Sequence, residues 1–230
     1  MMAEDRNILM KKFLLIVFTV ILSVIVSGGF AYSEPKPYEY EMDTEYYKDL
    51  KKQYRGVTSD ECIIDALEIL KNTMGVYSYK AIMGDNLTGK KIKVELKDLS
   101  EISPNYKDFD ALGWKKNGRL FIYINKKHED APPEALAALL GHEALHQDEF
   151  NSINEETYAW TFEASIFAKL VEKDASLVEI SHPLVTRENT LRKLFIKGNY
   201  SSEYIKKAVK SNPGYANLPS RSPGFESENL

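Results

Sequence analysis

A chain of 230 residues, 43% hydrophobic and 28% charged, has room for one domain with a real core, and this composition excludes wholesale disorder. A formal net charge of −4 provides no global basic surface and sets nucleic acid aside as a main partner. The single cysteine, Cys62, excludes an intrachain disulfide, a cysteine-based zinc site and a dithiol redox pair; its helical surroundings predict a buried thiol.

Arg6, Lys11 and Lys12 precede residues 13–26, an apolar run broken only by Thr19 and Ser23, and Ala31-Tyr32-Ser33 offers a small-x-small cleavage site. This is the three-part layout of a secretory signal; left uncleaved, the same residues 1–33 would anchor the chain in a membrane. Either way the chain from Glu34 onward is expected outside the cytoplasm, secreted or held at a membrane by its N-terminal segment alone. Residues 34–57 read as a linker or a prosegment, with a helix starting near Thr44.

Thr58 and Glu61 form a capping box that predicts a helix from Thr58 to about Met74, with Ile63, Leu67 and Leu70 on its inner face. Residues 84–89 are a turn cluster, and the charged–apolar alternation of 91–96 predicts a half-buried strand. Asn117-Gly118 marks the turn of a hairpin over 110–125, whose second strand, 119–124, is a β-favouring run. Pro132 and Pro133 open a helix expected to run to Glu149, with Leu136, Leu139, Leu140 and Leu145 as its apolar bulk. A turn at 151–154 leads to a helix over 155–173, whose Trp160, Phe162, Ile166, Phe167 and Leu170 would pack on the first. Further helices are expected at 187–196 and 201–210. A domain over 58–212 then ends in an irregular tail, 213–230, with three prolines and two glycines.

His142-Glu143-Ala144-Leu145-His146 reads H-E-x-x-H inside the first of these two helices. Histidines at i and i+4 project from one side of a helix, so both imidazoles can bind one metal ion. The carboxylate of Glu143, beside the first histidine, can take the proton of a water that the metal polarises. A catalytic zinc site needs a third protein ligand. One zincin pattern puts a histidine six residues after the second motif histidine, with glycine midway; Ser152 and Glu149 occupy those positions and exclude it. Glu155 and Glu156 remain. Ser152 and Glu155 form a second capping box, which would turn Glu155 back toward the helix start and leave Glu156 facing the metal. Both glutamates also suit the positive end of a helix with no metal present.

Over residues 142–159 the chain resembles the gluzincin metallopeptidases, the thermolysin-like group with H-E-x-x-H on one helix and a glutamate ligand on the next. A looser likeness reaches back through 119–124. The resemblance implies a compact α+β zincin-like fold, a small antiparallel or mixed sheet packed on the H-E-x-x-H helix with further helices. It also implies a zinc peptidase with His142, His146 and Glu156 as ligands and Glu143 as general base. Where the thermolysin-like pattern has an aspartate four residues beyond its glutamate ligand, supporting a zinc histidine, this chain has Trp160.

The expected function is that of an exported zinc peptidase acting on peptide or protein substrates. A zinc amidase acting on cell-wall or other non-protein amides and a non-catalytic exported zinc-binding protein are the alternatives. His182 and Tyr158 are the candidates for a second oxyanion donor, with His128 behind them. Strand 119–124 is expected on the cleft rim, where it would dock an extended peptide by strand addition.

Overall fold

A computed structural model of the chain describes residues 44–223. The expected signal or anchor at 1–33, residues 34–43 and the end of the tail lie outside the described residues. Helix α1 (Thr44–Gln53) and the turn after it belong to the folded core rather than to a linker: Tyr47, Tyr54 and Val57 are buried. Each buried tyrosine needs a partner for its hydroxyl, and α2 (Glu61–Lys71) supplies one to each, Asp65 to Tyr47 and Glu68 to Tyr54. α2 begins three residues later than its capping box predicts. Thr58 Oγ1 accepts from Asp60 N at 3.1 Å, closing a local turn, and Asp60 takes the N-cap position. Ile63, Leu67 and Leu70 face inward as expected, joined by Ile64 and Ala66. Cys62 is only partly buried, yet burial still pushes its thiol up to about 11, which leaves it inert.

After α3 (Val76–Ile82), strands β1 (Lys93–Lys97), β2 (Ala111–Lys116) and β3 (Arg119–Asn125) form a mixed sheet in the order β1-β3-β2. β1 runs parallel to β3 and β2 antiparallel to it, Gly113 opposite Ile122. The hairpin turn has φ of 52° at Asn117 and 67° at Gly118, the left-handed pair that an Asn-Gly turn supplies. The strongest β sequence therefore takes the centre of the sheet, bonded on both sides. β2, with its glycine and paired lysines, is left at an edge.

α4 (Pro133–Glu143) is apolar nearly all round and accordingly buried, packed between α2 and α5 (Ile153–Lys173). Gly141 allows the close crossing with α5, since a Cβ there would collide with Ile166 Cδ1. α4 ends at Glu143, six residues short of the expected Glu149. Leu145 N and His146 N bond back three residues, to His142 O and Glu143 O, so the last turn tightens. Asp148 Oδ1 then accepts from Phe150 N, and Asn151 Oδ1 from Ser152 N, both at 2.7 Å. These local turn bonds outcompete the helical pattern.

α6 (Pro183–Lys197) and α7 (Glu203–Ser211) complete the seven α-helices of the described residues. Ile166, Phe167 and Leu170 of α5 pack into the main core as expected. Trp160 does not: it joins a second, smaller cluster with Leu191, Ile205, Val209 and Tyr215. Among the described residues no helix is long and apolar enough to cross a membrane.

Candidate metal centre

His142 sits in the last turn of α4 and His146 just beyond it. The tightened turn still aims both imidazoles one way, and their Nε2 atoms lie 3.2 Å apart. Glu156, in the first turn of α5, completes the group, its oxygens 3.7 Å from His142 Nε2 and 3.6 Å from His146 Nε2. These three residues could hold a metal ion, with one ligand atom from each lying within 4.8 Å of the others. Glu156 Oε1 accepts from Asn151 Nδ2, whereas Oε2 is buried and has no hydrogen bond of normal geometry. Burial alone would raise the Glu156 carboxyl; His142 and His146 outweigh it, helped by Asn151 and the Tyr215 hydroxyl, and hold it below the usual range.

Each imidazole is held from behind by a carboxylate. Glu163 Oε2 lies 2.9 Å from His142 Nδ1, and Glu155 Oε1 lies 2.9 Å from His146 Nδ1. A carboxylate can only accept, so both rings carry a proton on Nδ1 and turn Nε2 toward the group. Glu155 therefore does not close the capping box the sequence suggests. Ser152 Oγ does accept from Glu155 N at 3.2 Å, but the Glu155 side chain turns to His146. Burial would lower His146; its bond to Glu155, with Glu156 and Glu143 nearby, pushes it up to about 9 instead.

Glu163 is in turn gripped by both terminal nitrogens of Arg187, whose Nε lies 3.1 Å from Asp110 Oδ2. Burial would raise Glu163, yet Arg187 and His142 hold it at about 2. Glu188 shares the same guanidinium at 2.6 Å, and burial with the neighbouring charge of Glu163 pushes its carboxyl up.

Glu143 is buried next to the group, Oε1 3.9 Å from His142 Nε2. Burial raises its carboxyl, against the pull of the two histidines. It faces a cavity of about 320 Å³ whose opposite wall is the edge strand β2 from Ala111 to Lys115. A second cavity of about 550 Å³ lies toward Asp110, Trp160 and Arg187; both are lined by Phe109, Ala111, His142, Glu143 and Tyr215.

His142, Glu143, His146 and Glu156 are thus brought together as the sequence suggests. The expected oxyanion donors are not part of the site. His182 caps α6 by accepting from Leu184 N and faces Asp130, His128 is 2.7 Å from Asp110, and Tyr158 stacks on Phe162. None of the three lines either cavity. Strand 119–124, expected on the cleft rim, is instead the central strand and lines neither cavity, whereas β2 lines the first. Sequence reasoning missed the supporting roles of Glu155, Glu163 and Arg187, and it missed Tyr215. Glu163 carried a usable signal, standing two helical turns beyond Glu156 and so on the same face of α5. Tyr215, in a tail of prolines and glycines, carried none. The chain matches no family model, no curated protein and no solved structure.

Proposed function

We propose that this chain is a zinc-dependent hydrolase that cleaves internal peptide bonds of substrates outside the cytoplasm. The observation that carries the reading is the buried His142–His146–Glu156 group with Glu143 set against it. Two imidazoles and one carboxylate are a donor set suited to zinc, and the unpartnered Glu156 Oε2 is an acceptor waiting for a positive charge. A purely structural site would have no use for the adjacent buried carboxylate. When bound, zinc supplies a Lewis acid that brings the pKa of water down to about 7 and polarises a carbonyl.

The remaining work falls to the chain. Glu143, its carboxyl raised by burial, takes the proton of the attacking water and passes it to the leaving amine. Burial and the charge of Glu156 push Tyr215 well up, so its hydroxyl keeps its proton and helps to orient Glu156. The outer edge of β2 offers its backbone to an extended peptide, and cavities on both sides of Glu143 suit a chain that continues past the cleaved bond. Glu143→Gln tests the assignment, because it keeps the shape and removes the base. Zinc should stay bound while hydrolysis of an unstructured protein substrate falls at least about a hundredfold. Unchanged hydrolysis would reject Glu143 as the base.

A further inference from the structure

Two backbone bonds tie the C-terminal segment to the start of α5. Ile153 N donates to Pro219 O at 2.9 Å, and Asn154 N donates to Ser220 O at 3.2 Å. With the Ser152 cap, the first three N–H groups of the helix are satisfied, two of them by the tail. The tail then sends one side chain inward. Ser222 is 3% exposed, its Oγ 2.9 Å from Glu155 Oε2 and 3.1 Å from Ser152 Oγ. The carboxylate only accepts, so the single proton of Ser222 goes to Glu155, and the hydroxyl of Ser152 is left to serve Ser222. Because Glu155 Oε1 accepts from His146 Nδ1, Ser222 stands two hydrogen bonds away from a metal-facing imidazole.

We propose that Ser222 is a positioning residue of the metal centre, and that segment 219–222 is a strap holding His146 in its ligating pose through Glu155. The inference rests on the metal-binding reading above. Glu155 has a competing pose written into the sequence, the capping box, in which its carboxylate would bond Ser152 N. Two contacts block that pose. Asn151 Oδ1 occupies Ser152 N at 2.7 Å, and Ser222 holds the second Glu155 oxygen. Without the Ser222 hydroxyl, a buried carboxylate oxygen loses its donor, and Glu155 is drawn away from His146. His142 is held independently, by Glu163 and Arg187 from within the helices. The strap therefore acts on one ligand and leaves the other untouched.

The test measures Zn2+ dissociation constants by chelator competition on the full-length chain and on Ser222→Ala, Ser222→Thr and Glu155→Gln variants. Loss of a hydrogen-bonded support behind a ligating histidine weakens metal binding about 10- to 100-fold, and Ser222→Ala should fall in that range. Ser222→Thr keeps the hydroxyl and should restore affinity to within about threefold of the parent, as a mere packing defect would not. Absorption bands of the Co2+-loaded protein should change in Ser222→Ala and be retained in Ser222→Thr. Glu155→Gln, which leaves the tail in place, reads the same link from the other side and should weaken binding at least as much as Ser222→Ala. Zinc affinity of Ser222→Ala or of Glu155→Gln within about twofold of the parent overturns the strap while leaving the metal site intact. A parent chain that binds no zinc overturns both.

Discussion

A Cβ built on Gly113 would stand 3.2 Å from His146 Cβ and 3.4 Å from Glu143 Oε2. The edge strand therefore approaches the metal group to a distance that a larger side chain would contest. Gly113→Val should push β2 outward or turn Glu143 aside. A displacement of about 1 Å at a reacting centre can cost about a hundredfold in rate, and a loss of that order is expected in kcat/KM. Zinc affinity should fall less than activity, because the new side chain presses on His146 Cβ without removing a ligand atom. Full activity in Gly113→Val would separate β2 from the substrate cleft.

Glu163 links the metal group to Arg187, and its replacement should be felt at both ends. Glu163→Gln should weaken zinc binding about 10- to 100-fold through His142. It should also destabilise the fold by about 2 kcal/mol, less than the roughly 3–5 kcal/mol of a fully broken buried pair, because Glu188 and Asp110 still contact Arg187. The sign with pH follows from the depressed carboxyl. A group held at about 2 against an ordinary 4.5 stabilises the fold fully above the higher value and loses that contribution as pH falls toward the lower. Acid unfolding should accordingly separate parent from Glu163→Gln at neutral pH, with the gap closing in acid; a constant gap would contradict this assignment.

Metal binding should depend on pH through His146. Its imidazole is pushed up to about 9 without metal, so at neutral pH a proton must leave before Nε2 can act as a ligand. Apparent zinc affinity should fall about tenfold for each pH unit below about 9 and level off above it. Chelator competition across that range measures the slope. A flat profile would mean that the His146 imidazole is neutral in the metal-free protein.

The adjacent glutamates should differ in degree. Glu156→Ala removes a ligand atom, whereas Glu155→Ala removes the support behind His146, so both should weaken zinc binding and Glu156→Ala by more. A larger loss for Glu155→Ala would reverse their roles.

The meeting of His142, Glu143, His146 and Glu156 was legible because their spacing is local. H-E-x-x-H sets three of them by helical spacing, and Ser152 fixes where the next helix starts. Helix existence and the Asn117-Gly118 turn were legible for the same reason. The end of α4 was not, since the turn bonds of Asp148 and Asn151 compete with an unbroken apolar pattern and only the folded chain decides between them. The supports were hidden because they converge from distant segments: Arg187 from α6, Tyr215 and Ser222 from the tail. The strand beside the cavity was not legible, because β-favouring character marks the centre of a sheet, whereas the strand that lines the cavity is the edge strand β2. Trp160, in the position where the thermolysin-like pattern has a supporting aspartate, packs instead under Arg187, its ring 5.5 Å from the guanidinium carbon. Glu163, three residues further along α5, does the supporting.

Zinc content of the purified full-length chain tests the central claim most directly. Elemental analysis should find about one zinc per chain, as three ligands and an open position require, and His142→Ala combined with His146→Ala should abolish it. Zinc at full stoichiometry in that double variant, or a parent chain that holds none after equilibration with the metal, would contradict the account.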